Sequence, residues 1–193
     1  MRIYIDSNII ANWFVYVTTK KRKILKETSP SVYYCYKLVE IALEGKPPNS
    51  FVTSSWAICE AMSVIRTTLI QFRIALDGLN VRDRELQKHP RYALTQTQIK
   101  EVKRAWDIFL EKYEKKEKKI EICESGIPFN QIYDIFIYRK IEPDDYFHII
   151  IAKLCNCSHF VTLDMDLLSY LKNNVKKYNL NVYRPEDMLK ELN

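Results

Sequence analysis

Residues 143–168 read Pro143-Asp-Asp-Tyr-Phe-His148-Ile-Ile-Ile-Ala-Lys-Leu-Cys155-Asn-Cys-Ser-His159-Phe-Val-Thr162-Leu-Asp164-Met-Asp166-Leu-Leu168. Pro143 suits a first helical position, where a missing N–H costs nothing. Asp144 and Asp145 fall in the first turn, where negative charge complements the helix dipole. Phe147, Ile150, Ile151 and Leu154 recur at helical spacing and predict a wide apolar face. His159-Phe-Val-Thr162 is short, apolar and β-prone, which predicts an interior strand. It runs into Thr162-Leu163-Asp164-Met165-Asp166, where a new helix begins. Two carboxylates thus stand at a strand's C-terminal end, with another pair at a nearby helix start. In open α/β sheets that edge is where ligands bind.

The N-terminus repeats the pattern. Arg2-Ile-Tyr-Ile5 is β-prone and stops at Asp6, and Ile9, Ile10, Trp13, Phe14 and Val17 then follow helical spacing. Residues 20–26 form a basic linker or exposed helix end. Ser29-Pro30-Ser31 starts a helix carrying Tyr33, Tyr36, Leu38, Ile41 and Leu43, which Gly45-Lys-Pro-Pro48 ends. Phe51-Val-Thr53 is a second strand, and Ser54 or Ser55 caps a helix from Trp56 to about Leu79. Residues 80–94 are polar, contain Pro90 and read as a loop. Thr95 or Thr97 starts a helix through Val102, Trp106, Phe109, Leu110 and Tyr113, ending in a solvated Lys/Glu run at 114–119. The two long helices make a hairpin at about 56–119 that projects from the domain or packs on a partner. Its apolar surface points to a homodimer. Trp106 and Tyr113 read as hairpin core or dimer surface rather than as base-stacking platforms. Ile120-Glu-Ile-Cys123 is a third strand, and 128–140 is a short helix with Ile132, Ile135 and Phe136 inward. Residues 167–178 are helical, Asn181-Val-Tyr183 is an edge strand, and 185–192 is a closing helix with Pro and acids in its first turn.

Strands alternating with helices argue for an α/β fold: a three-layer α/β/α sandwich with a central, mostly parallel sheet of four to five strands. The 193 residues suit one domain over 1–193. An apolar content of 47% with only 3 Gly excludes a disordered or low-complexity chain. No apolar run approaches a membrane span, and no signal peptide precedes the first strand, so a cytoplasmic protein with no membrane partner is the expectation. The net charge of +6 (30 basic, 24 acidic) is compatible with a nucleic-acid partner. Five widely spaced cysteines argue against a disulfide framework. Cys155 and Cys157 lack a second Cys or His pair at zinc spacing, and His89, His148 and His159 are too scattered for a His-based site.

Four acids remain as a constellation: Asp6 after the first strand, Glu60 in the helix after the second, Asp145 at a helix start, and Asp164 after the fourth strand. If the first and fourth strands are neighbours, Asp6 and Asp164 face one crevice, and Glu60 leans over the same edge from about two turns into its helix. Carboxylates clustered without Lys or Arg between them cannot all stay charged cheaply. A divalent cation relieves that repulsion, and hard oxygen donors favour Mg²⁺ or Mn²⁺ over Zn²⁺. Such a site suits phosphodiester hydrolysis with one or two metals. The competing reading makes Asp6, Asp164 and Asp166 simple helix caps, and Asp144 competes with Asp145. A lone acid on the apolar background around Glu60 is the most telling, because it is costly without a partner. His148 reads as a supporting or packing residue.

The ordered set Ile5-Asp6-Ser7-Asn8, Ser55-Trp-Ala-Ile-Cys-Glu60, Asp145-Tyr-Phe-His148 with Ala152, Phe160-Val-Thr-Leu-Asp164-Met-Asp166 and Val182-Tyr-Arg-Pro-Glu-Asp-Met-Leu189 resembles the PIN domain family. Many members are metal-dependent ribonucleases, including VapC-type toxins. The resemblance implies that Asp6, Glu60, Asp145 and Asp164 are catalytic and bind the metal, with Asp166 assisting. It implies that Asn8 and Thr162 orient them. It further implies RNA as substrate, Mg²⁺ or Mn²⁺ as cofactor and, for a toxin, an antitoxin protein as partner. A second expectation, from the hairpin and the basic balance, is a catalytically inactive PIN-like module that binds nucleic acid or acts as a scaffold. An aspartyl phosphatase ranks last, since Asn8 stands where its second acid belongs.

Overall fold

Five short strands lie side by side in one sheet, all parallel, in the order β3-β2-β1-β4-β5. They are β1 (Arg2–Ile5), β2 (Ser50–Ser54), β3 (Ile120–Cys123), β4 (His159–Val161) and β5 (Asn181–Tyr183). The helices are α1 (Ser7–Thr18), α2 (Arg22–Thr28), α3 (Pro30–Glu44), α4 (Ser55–Leu76), α5 (Arg84–Lys88), α6 (Gln96–Lys115), α7 (Pro143–Leu154), α8 (Met165–Asn173), α9 (Val175–Tyr178) and α10 (Pro185–Glu191). This computed structural model describes residues 1–19, 22–45, 48–115, 119–124, 126 and 141–192. The helix expected over 128–140 and the centre of the Lys/Glu run lie outside the described residues. Among the described residues, no helix is long and apolar enough to cross a membrane.

Period-2 alternation in β1 divides the core into two layers. Ile3 and Ile5 pack with Trp13, Phe14, Leu38, Ala61, Phe109 and Met188, which come from α1, α3, α4, α6 and α10. Tyr4 points the other way, among Ile149, Ile150, Phe160, Leu167, Leu171 and Tyr178 from α7, β4, α8 and α9. The α/β/α sandwich expected from the strand–helix alternation is therefore present. Its strands run as buried apolar segments because both faces are covered. The chain winds outward from β1 through β2 to β3, then returns to place β4 on the other side of β1. Between β1 and β4 the order reverses, and their register pairs Ile5 with Val161.

Several expectations change on inspection. On α7, Ile150 and Ile151 are buried as expected, with Tyr146 and Ile149 beside them, whereas Leu154 is 45% exposed in the last turn. Residues 80–94 are not a plain loop: Asp83 caps α5, Pro90–Tyr92 forms a 3₁₀ turn, and Tyr92 packs with Ile70 and Ile74. The Arg73 guanidinium holds the Ala93 and Arg91 carbonyls beneath it. Thr95 starts α6 through a reciprocal cap, its hydroxyl accepting from Gln98 N while Gln98 Oε1 accepts from Thr95 N. Gly45 ends α3 in the left-handed region, φ 61°, where a Cβ would also run into the Lys119 side chain. Cys123 and Cys155 lie side by side at the ends of β3 and α7, with Cα atoms 7.3 Å apart, and Cys35, Cys59 and Cys157 are free.

The second hairpin helix does not project. Phe109 lies 5.6 Å from the Trp13 ring and 5.8 Å from Phe14, and Trp106 stacks on Phe14 at 6.1 Å. Glu40 ties the layer together: one oxygen accepts from Trp13 Nε1 at 2.9 Å and the other pairs with Lys112. Phe109 is 1% exposed at the centre of this aromatic group. Phe109→Ala is therefore expected to cost about 3–5 kcal/mol in urea unfolding, while the exposed Ile99→Ala stays within about 0.5 kcal/mol. Comparable midpoints for the two variants would mean that α6 is not part of the core.

Candidate functional site

The reversal of strand order between β1 and β4 leaves a crevice at the sheet's C-terminal edge, and several helices begin there. Asp6 follows β1 and caps α1, its Oδ1 accepting from Ser7 N at 2.7 Å. Ser54 ends β2 and caps α4, its Oγ accepting from Ala57 N. That start places Glu60 in the second turn of α4. Asp164 follows β4 and caps α8, its Oδ1 accepting from Asp166 N and Leu167 N at 2.8 Å each. Asp145 lies in the first turn of α7.

Asp6 is 2% exposed and depends on its donors. Oδ2 accepts from Thr162 Oγ1 at 2.7 Å and from Asn8 Nδ2 at 2.8 Å. The Thr162 hydroxyl in turn accepts from Asn8 Nδ2 and from Asp164 N, while Asn8 Oδ1 accepts from Leu163 N. Asn8 and Thr162 thus join the ends of β1 and β4 around one carboxylate. Burial still pushes the Asp6 pKa up against the charge of His148, the Thr162 and Ser7 hydrogen bonds and, in the same upward sense, the charge of Glu60.

Sequence reasoning gave His148 too little weight. It is 1% exposed, with Nε2 at 2.7 Å from Glu60 Oε2 and 3.6 Å from Asp6 Oδ1. Its Nδ1 lies 3.0 Å from the Tyr4 hydroxyl, which reaches Ser54 Oγ at 3.0 Å. Burial opposes charge on this ring. The Glu60 hydrogen bond, with the charges of Asp6, Glu60 and Asp145, outweighs it and holds the His148 pKa above its ordinary value. Both ring nitrogens of the charged form donate, to Glu60 and to Tyr4. The His148 hydrogen bond lowers the Glu60 pKa, with burial opposing and Ser7 adding a further donor. The signal for His148 was its position three residues after Asp145 on one helix face. The signal for Tyr4 was its place two residues before Asp6, on the same side of β1.

Asp145, Asp164 and Asp166 form the open half of the crevice. They line a groove of about 540 Å³ with Ile141, Glu142, Ser169, Tyr170 and Asn173. The Asp145 carboxyl is pushed up to about 7 by burial and by the charges of Asp164 and Asp6, with His148 opposing and Glu60 adding to the rise. Asp144 is exposed and is not among these partners, so Asp145 is the residue directed at the other acids. A second depression, beside Arg22 and Arg104, holds none of these acids.

Among the described residues, no three Asp, Glu, His or Cys side chains are gathered at metal-ligand spacing. The physical reason is visible: the His148 ring occupies the space between Asp6 and Glu60, and the other acids border an open groove. The donor set nonetheless suits a hard divalent cation. It is all carboxylate oxygen apart from His148, and burial together with the charges of Asp164 and Asp6 raises Asp145. Compared with protein-family models and with curated proteins, the sequence matches none.

The raised carboxyl has a measurable consequence. Between about pH 4 and about pH 7 the folded protein keeps a proton on Asp145 that the unfolded chain has released, so this residue lowers stability as pH rises through that window. Asp145→Asn is expected to unfold at higher urea than the parent near pH 8 in metal-free buffer and to show a flatter dependence over the window. Parallel pH profiles for the two proteins would show that Asp145 does not feel the other acids.

Proposed function

We propose that the chain is a PIN-like endoribonuclease that hydrolyses RNA phosphodiester bonds with Mg²⁺ or Mn²⁺. One observation carries the reading: Asp145, Asp164 and Asp166 line an open groove at the C-terminal edge of a parallel sheet, where Asp164 shares the Thr162 hydroxyl with the buried Asp6. Asp6, Glu60, Asp145 and Asp164 would hold the metal, with Asp166 beside them. When bound, the metal would neutralise the acids, polarise a phosphodiester oxygen and lower the pKa of a water. Thr162 and Asn8 fix the plane of the Asp6 carboxylate. His148 keeps Glu60 ionised by holding a proton at Nε2, and Tyr4 fixes the ring from Nδ1. No side chain need serve as a covalent nucleophile.

The placement of His148 between Asp6 and Glu60 favours a second reading, a PIN-like module that binds nucleic acid without cleaving it. Metal binding separates the two. Mn²⁺ calorimetry on the enzyme gives an exothermic, saturable isotherm that Asp6→Asn and Asp164→Asn abolish; the inactive module gives none. For the enzyme, cleavage of single-stranded RNA requires Mg²⁺ or Mn²⁺, stops in EDTA, and falls in both variants to the EDTA level. Equal cleavage by all three proteins would sink the nuclease reading.

A further inference from the structure

One aromatic pair, an exposed ring on a half-buried one, lies close in sequence to Glu60 and Asp145 and has no part in the scheme above. Trp56 stands in the first turn of α4, 44% exposed, and Phe147 lies between Asp145 and His148 on α7. Their rings stack at 5.9 Å between centroids with planes 28° apart. The other two tryptophans are committed elsewhere: Trp13 is fully buried, and Trp106 stacks on Phe14 and Phe109. We infer that the Trp56–Phe147 pair is a stacking shelf for one unpaired nucleobase of a single-stranded RNA whose phosphate lies at the acids.

Three features of the pair point to this occupant. Trp56 precedes Glu60 by four residues, so both lie on one face of α4 about 6 Å apart along the helix axis. That is the scale of a single nucleotide step. Phe147 backs one side of the indole and fixes its plane, leaving the exposed side of the indole for a second ring. Finally, Phe147 follows Asp145 by two residues on α7, so the paired rings are tied to both acid-bearing helices. A base already paired and stacked in a duplex cannot reach such a shelf, so the pair selects single strands. The inference rests on the nuclease reading for the position of the phosphate, but the shelf itself can be tested without cleavage.

The test uses the full chain in Ca²⁺ buffer with a 12-nucleotide oligoadenylate, checked on a gel for integrity, and a 12-base-pair RNA duplex. Tryptophan fluorescence and the anisotropy of a labelled oligonucleotide are read together. The single strand is expected to quench wild-type fluorescence and the duplex is not. Trp56→Ala is expected to weaken single-strand binding about tenfold and to remove the quenching. Trp56→Phe should retain most of the affinity, and Phe147→Leu should lose part of it. Wild-type affinity in Trp56→Ala, equal quenching by the duplex, or no quenching of the wild type each overturns the shelf. If the binding pattern appears but Mn²⁺ supports no RNA cleavage, the shelf stands and the nuclease reading falls. Mn²⁺-dependent cleavage with kcat and KM unchanged in Trp56→Ala gives the reverse.

Discussion

A carboxylate with 2% exposure has lost nearly all its water, and Asp6 keeps its place only because protein donors replace that hydration. Those donors come from two parts of the chain: Ser7 and Asn8 at the start of α1, and Thr162 at the end of β4. The bonds that make Asp6 tolerable therefore also join the first strand to the fourth. Residues 156 positions apart in sequence become neighbours through one hydroxyl. The rest of the ligand edge is arranged around this junction, since Asp164 hangs from the same Thr162 oxygen through its backbone N–H.

Charge at this edge is balanced in one half and not in the other. Asp6 and Glu60 share His148, whose Nε2 lies 2.7 Å from Glu60 and 3.6 Å from Asp6; burial lowers the ring's pKa, but the Glu60 hydrogen bond and the acids' charges raise it above its ordinary value. Asp145, Asp164 and Asp166 have no such partner: among the described residues, none of them pairs with a Lys, Arg or His. In this half the Asp145 carboxyl is pushed up to about 7 by burial and by the charges of Asp164 and Asp6. A folded protein rarely keeps such repulsion for the sake of stability, and perturbed carboxyls in a groove are more often at sites of function. In that sense His148 stands in for part of the positive charge that the remaining acids lack.

The frame was legible because short apolar strands alternated with helical periodicity, and because β1 runs straight into Asp6 while β2 ends on the capping Ser54. Parallel order then followed from simple winding rules. The acids Asp6, Glu60, Asp145 and Asp164 were visible for the same reason. Other features were hidden because their cause is tertiary. Nothing local tells that Tyr4, Ser54, His148 and Glu60 form one hydrogen-bonded line, since the line crosses β1, β2, α7 and α4. The polar stretch after α4 hid its helix because Tyr92 gains its apolar contacts only when Ile70 and Ile74 are brought beneath it. Leu154 looked inward on periodicity alone, but the last turn of α7 runs past the layer it covers.

At a parallel sheet's C-terminal edge the following helices all begin, so a capping carboxylate also stands where a ligand would bind. Asp164 caps α8 through one oxygen, which takes the first N–H groups, and among the described residues the other takes no protein hydrogen bond while the side chain lines the groove. Each helix start also contributes partial positive charge that eases the crowding of acids. First turns are therefore where this fold can place groups that serve a ligand without weakening the core. The exposed ring of Trp56 sits in such a turn, whereas Trp106, deep in the run of α6, is spent on packing. Helical periodicity reports which face is buried over several turns. It is silent about the first turn, and at this edge Asp145 and Asp166 stand in first turns.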